Sequence, residues 1–310
     1  MGSLRKIIML LAVGMTVFLV SCSQINEDEE EREKLTVMTS FYTMYEFTKQ
    51  IAQDKATVEL LIPAHVSAHD WEPAPKDIQA IQEADLFIYN SEYFETWVNN
   101  IENSVDLAST TFIHASEGIL LLEGEQTHSH DEHDHAHTYD PHVWLSPILA
   151  QKQVENIADA LIAHDPDNET FYIEHRDNYL EELQQLDELF RETLEQVEKR
   201  EFITEHAAFG YLANEYDLIE IPIVGISPSL EPSAAQLRDL KQFAEEREIT
   251  TIFHETLTQA RTAETLANEL GVDVEVLSTL EGLTKEEQEA ELSYIDVMKR
   301  NLKALEKAST

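Results

Sequence analysis

Five of the ten residues from His128 to His137 are histidine, in the run "HSHDEHDHAH", and three of the others are acidic. Neutral imidazoles bind zinc, so His128, His130, His133, His135 and His137 read by composition as metal ligands. Apart from Ala136 the tract has no apolar residue to anchor it, which predicts a loop that cannot bury itself. Ligands on such a loop must be ordered as metal binds, and that lowers affinity relative to a preformed site. The tract is therefore expected to be an accessory that collects metal weakly and fast. A principal site has to come from elsewhere, and four other residues offer one. His69 follows an apolar run at 58–62, and His142 lies between the tract and the next helical stretch. His206 follows a run at 201–204, and Glu281 follows one at 274–278. Three imidazoles and a carboxylate would close a tetrahedral set suited to Zn²⁺. Position alone does not make them converge, and a lone histidine is more often an isolated polar residue.

Those runs belong to two series of alternating elements. Strands are expected at 35–41, 58–62, 85–90 and 111–116, with helices from Met44 to Asp54, Pro75 to Ala84 and near Phe94 to Ile101. A further helix is expected to start near Pro147. From Asn168 to Lys199 apolar residues recur at helical spacing (Phe171, Tyr172, Tyr179, Leu183, Leu186, Phe190, Leu194, Val197) among charged ones. A helix of about 30 residues would reach about 45 Å, more than one small domain needs, so it reads as a rigid spine between two lobes. A second series follows, with strands at 201–204, 220–225, 250–255 and 274–278. Helices from Ser233 to Arg247 and from Thr262 to Leu270 lie between them, the latter stopped by Gly271. The fold class is α/β: two lobes, each with a central, mostly parallel four-stranded sheet flanked by helices, joined by one long linker helix. Ligands of such sheets bind beyond the carboxyl ends of strands, where the four candidates fall, two from each lobe.

With 310 residues, 43% of them hydrophobic, the chain can bury a substantial core. Its formal net charge of −40 excludes nucleic acid as a partner and argues against loose binding to an anionic membrane surface. Arg5 and Lys6 precede an apolar run from Ile7 to Val20, the shape of a secretory signal and short for a spanning helix. The run ends in Leu19-Val20-Ser21-Cys22, which resembles the bacterial lipobox, so Cys22, the single cysteine, is expected to carry the lipid. The organisation expected is a signal peptide and lipobox at 1–22 and an acidic tether at 23–34. An N-terminal lobe at 35–165 with the His-rich loop at 125–138 follows, then the linker helix at 166–200 and a C-terminal lobe at 201–310.

The segments "AHDWEPAP" (68–75), "DPHVWLSP" (140–147), "HAAFGYLANEYDL" (206–218), "ISPSLEPS" (226–233) and "LEGLTKEEQ" (280–288) resemble, in order and spacing, the solute-binding lipoproteins of bacterial ABC-type zinc and manganese importers. The resemblance runs from Leu35 onward. It implies one metal held between the lobes, with His69, His142, His206 and Glu281 at the ligand positions. In "PAHVSAHDWEP", His65 is a rival for the first ligand, and the downstream "WEP" register favours His69. Manganese members typically place acids at both C-lobe positions, whereas His206 here makes three nitrogens, so the expected metal is Zn²⁺. Asp140 and Glu255 are candidates to orient the ligating histidines, and Trp71 and Trp144 to exclude water beside them. The implied partners are an ABC permease with its ATPase and, through Cys22, the lipid bilayer. A monomer on the extracellular face of a Gram-positive cell membrane is expected. Rival readings are a zinc-dependent adhesin and a zinc hydrolase. The hydrolase would need an open metal position, and it gains only if Glu281 is not a ligand. No HExxH motif or serine-centred triad stands in the chain.

Overall fold

Strands that are apolar on both faces lie in the middle of a sheet, and mixed ones lie at its edges. The first sheet follows this rule, and in the second the two central strands are the more buried ones although one of them is partly polar. In the computed structural model, which describes residues 34–69, 71–104, 110–124, 139–226, 228, 232–258 and 261–309, the first sheet comprises β1 (Leu35–Thr39), β2 (Ala56–Leu60), β3 (Leu86–Tyr89) and β4 (Thr111–His114). Its order is β2-β1-β3-β4 with every pairing parallel. All four residues of central β3 are buried, whereas edge β2 alternates between buried or half-buried and exposed positions. The second sheet repeats the arrangement with β5 (Glu201–His206), β6 (Ile219–Val224), β7 (Thr251–His254) and β8 (Asp273–Val276) in the order β6-β5-β7-β8, again parallel. Pro222 sits on the edge strand β6, where its missing N–H interrupts nothing.

The helices are α1 (Tyr42–Ala52), α2 (Pro75–Glu83), α3 (Val98–Ser104), α4 (Pro147–His164), α5 (Glu169–Leu194), α6 (Gly210–Glu215), α7 (Ala234–Glu246), α8 (Arg261–Leu270), α9 (Lys285–Glu289) and α10 (Tyr294–Ala308). The long helix α5 has 26 residues, about 39 Å at the usual rise. It is shorter than the sequence suggests at both ends. Pro166–Asn168 form a 3-10 turn that leads into it, and past Leu194 the chain turns toward β5, with Arg200 reaching the Glu195 and Tyr216 carbonyls. Helix α3 starts at Val98, not near Phe94, because the Glu95 carboxylate accepts the backbone N–H groups of Asn90 and Ser91 and holds this segment as a turn. Gly271 ends α8 with φ +71°, a left-handed conformation that glycine adopts without strain.

One apolar core runs through both lobes. Phe41, Phe47 and Trp144 from the first lobe join Tyr179, Leu183 and Phe190 of α5, Phe209 and Phe253 of the second lobe, and Tyr294, Met298 and Leu302 of α10. A smaller core packs the other face of the second sheet against α7 and α8, through Ile203, Ile223, Ile252, Leu240, Ala263 and Leu266. Among the described residues no helix is long and apolar enough to cross a membrane. The signal segment with Cys22, most of the acidic tether, and His128, His130, His133, His135 and His137 lie outside the described residues.

Candidate metal centre

His142 is the N-cap of a 3-10 turn at Val143–Leu145, and Pro141 before it fixes the entry of the chain. The Asp140 carboxylate accepts the His142 backbone N–H at 2.9 Å and lies 2.8 Å from its ring Nδ1. Asn90 Nδ2 donates to the Pro141 carbonyl at 2.9 Å, and Gln153 and Ser116 hold Asn90 in turn. These protein–protein hydrogen bonds hold the loop. His142 has no solvent exposure, and its Nε2, turned away from Asp140, faces the lobe boundary.

His206 is the last residue of β5, paired with Val224. Sequence patterning ends this strand at 204, because "TEH" carries no apolar alternation. The Glu255 carboxylate, just past β7, holds His206 Nδ1, and Glu220 accepts the N–H groups of Ala208 and Phe209 in the turn that follows. His69 comes from the segment after β2 and packs edge-on against Phe94 with ring centroids 4.9 Å apart. Glu281 follows β8 and is 4% exposed.

The ligand atoms of His69, His142, His206 and Glu281 lie within 4.8 Å of one another. The Nε2 atoms of His69 and His142 are 3.1 Å apart, and those of His142 and His206 3.4 Å. Glu281 Oε1 is 3.2 Å from His69 Nε2 and 3.9 Å from His142 Nε2. The 3.2 Å approach is an ion-pair separation without hydrogen-bond alignment, so this buried oxygen has no donor among the described residues. Three ring nitrogens and an undonated carboxylate oxygen, turned toward one point inside the protein, fit a cation. His65 lies exposed and outside the cluster.

Electrostatics agree with that fit. Burial, reinforced by the neighbouring His69 and His206 rings, holds the His142 imidazole well below its ordinary range and so neutral. Burial alone would raise Glu281, but the facing imidazoles, His69 foremost, bring it down to about 2. Burial opposes a charge on His206, yet Glu255 outweighs it and raises the ring to about 9. Burial pushes Asp140 up to about 7 against the His142 N–H that it accepts. With carboxylates on Nδ1 of His142 and His206, Nε2 is the nitrogen left to bind metal.

Trp144 has no solvent exposure and lies 5.2 Å from the His142 ring, while Trp71 packs edge-on against Trp97 farther out. Tyr211, whose hydroxyl donates to the Asp140 carbonyl at 2.6 Å, lies inside the "HAAFGYL" segment, while Asn90 and Glu220 carry no sequence signal of a role at the site. Replacing Asp140 with alanine should weaken metal binding roughly 10- to 100-fold, the usual effect of removing the partner of a ligating histidine. Competition against a chromophoric chelator measures it.

Two parallel sheets joined by one long helix, with a buried imidazole–carboxylate cluster at their boundary, define a bilobed solute-binding protein. Residues 37–308 match the model of the zinc-uptake complex component A family, ZnuA, described as periplasmic, and the chain belongs to that family. It is 54% identical over 285 residues to the high-affinity zinc uptake system protein ZnuA of Bacillus subtilis, covering 89% of this chain and 88% of that protein. It is 43% identical over 310 residues to the zinc-binding lipoprotein AdcA of Streptococcus pneumoniae, covering 99% of this chain but only 61% of AdcA's length. The crystal structure of the Zn(II)-bound ZnuA-like domain of that AdcA superposes with a TM-score of 0.77 at 42% identity, over 89% of this chain and 99% of the domain. These are uptake and binding proteins, and the chain is a transport component, not an enzyme.

Proposed function

We propose that this protein is a lipid-anchored receptor that captures Zn²⁺ between its lobes at His69, His142, His206 and Glu281 and delivers it to an ABC permease driven by an ATPase. The convergence of three Nε2 atoms and one undonated carboxylate oxygen within 4.8 Å carries the reading. Nitrogen-rich sites of this kind suit zinc better than manganese. Family membership and the zinc-named relatives support both the metal and the transport role. Four protein donors leave no open position for an activated water, which weighs against hydrolysis. A lipid on Cys22 would hold the protein, a monomer, at the extracellular face of the membrane, and the lipoprotein name of AdcA supports the anchor. Asp140 and Glu255 would orient the ligands, and His128, His130, His133, His135 and His137 would form an auxiliary collector.

A competitive zinc titration of the chain from Ser23 onward, intact and with Glu125–Thr138 deleted, tests this. The deleted form should keep one tight site and lose only weaker ones. Loss of the tight site with the loop would overturn the ligand assignment.

A further inference from the structure

Glu281 belongs to the second lobe in chain order, but the hydrogen bonds around it lead to the first. Up to Ser278 the chain is tied to its own lobe and to α10: Leu277 N donates to the His254 carbonyl at 2.9 Å, and Asn301 brackets Ser278 through both its N–H and its carbonyl. From Thr279 the partners change. Trp144 Nε1 donates to the Thr279 carbonyl at 2.8 Å, and Thr43 Oγ1 donates to the Leu280 carbonyl at 2.6 Å. Leu283 N donates to the Ala64 carbonyl at 2.7 Å. Thr43 is the second residue of α1, Trp144 stands two residues after His142, and Ala64 lies on the segment leading to His69. Both neighbours of Glu281 show how closely this seat is fitted. Leu280 holds φ 55°, strained for a residue with a branched side chain, and it is fully buried. A Cβ on Gly282 would stand 2.1 Å from the Ala64 carbonyl oxygen, so only glycine permits the approach.

We infer that Thr43 is a positioning residue for Glu281, and that through it three of the four donors, His69, His142 and Glu281, are assembled on the frame of the first lobe while His206 stays with the second sheet. The Thr43 hydroxyl bonds a backbone carbonyl and not a donor side chain. It fixes the backbone one residue before the carboxylate, with the Trp144 and Ala64 contacts on either side. The inference rests on the proposed ligand set.

The experiment compares zinc affinity by chelator competition in the wild type, Thr43→Val, Thr43→Ser, Glu281→Gln and the double variant Thr43→Val/Glu281→Gln, with folding checked by thermal denaturation in chelator. Thr43→Val keeps the shape and removes the donor. Affinity should fall about tenfold, as for other supports of metal ligands. Thr43→Ser should restore it to within about twofold, and in the Glu281→Gln background Thr43→Val should have no further effect, the coupling expected of residues that act through one another. Unchanged affinity in Thr43→Val, or the same tenfold loss without the Glu281 carboxylate, overturns the inference while leaving the ligand set intact. Wild-type affinity in Glu281→Gln overturns the ligand set, and the inference with it. If Thr43→Val does not fold, Gly282→Ala tests the same seat from the Ala64 side, and its loss must likewise vanish in the Glu281→Gln background.

Discussion

Replacing His142 with alanine should weaken zinc binding by on the order of a hundredfold or more, the largest effect of any single change at the site. A fully protein-liganded zinc is held by roughly 10–16 kcal/mol, so one of four donors accounts for about 3 kcal/mol. His142 sits at the middle of the cluster, with its Nε2 near those of both His69 and His206 and within 3.9 Å of Glu281. Its loss also strips Asp140 of its ring partner and leaves a buried carboxyl facing a cavity. Isothermal titration in competition with a chelator reads the change. Affinity within a few-fold of wild type would mean that zinc is held elsewhere.

Acidification should release the metal steeply. Between pH 7.5 and 5.5 zinc affinity should fall by about a hundredfold from His206 alone, because a group titrating near 9 stays protonated in the metal-free site throughout that range. Zinc must then displace one proton, and affinity falls tenfold for each pH unit. Asp140, near 7, is charged when it supports a metal-bound His142, so it adds a second proton below neutrality and steepens the slope. His142 and Glu281 add nothing in this window. One is held well below the ordinary imidazole range and the other near 2, so both are already deprotonated. Affinity measured across pH, with proton release read by calorimetry in buffers of different ionisation enthalpy, checks the sign and the slope. A flat profile would show that His206 either does not ligate or is not protonated in the metal-free site. Glu255→Gln should flatten the upper part of the curve, because that carboxylate raises His206.

The sheets were legible because most of their strands read as short apolar or β-branched runs between helical periods, β5 least clearly since its buried second half is polar. The long helix was legible from the spacing of Tyr179, Leu183, Leu186, Phe190 and Leu194. Its ends were not, since a 3-10 turn at Pro166 and the descent after Leu194 depend on tertiary contacts. The start of α3 was misread for a similar reason: Glu95 captures two backbone N–H groups that a helix reading leaves free. The histidines and Glu281 could be picked from motifs and strand ends. Their supports could not. Thr43 meets Leu280 across 237 residues of sequence, and Trp144 meets Thr279 across 135, pairings that no local pattern announces.

The core that runs through both lobes also orders events in time. Helix α1 is made early, but its apolar face is covered in part by α10, which is made some 250 residues later. Phe47 waits for Tyr294, whose ring it meets at 5.0 Å, and Tyr42 waits for the Leu292 carbonyl, 250 residues downstream. Contacts so distant in sequence close slowly and only after α10 has been made. A nascent polypeptide stopped short of α10 would lack the wedge that completes its own first half.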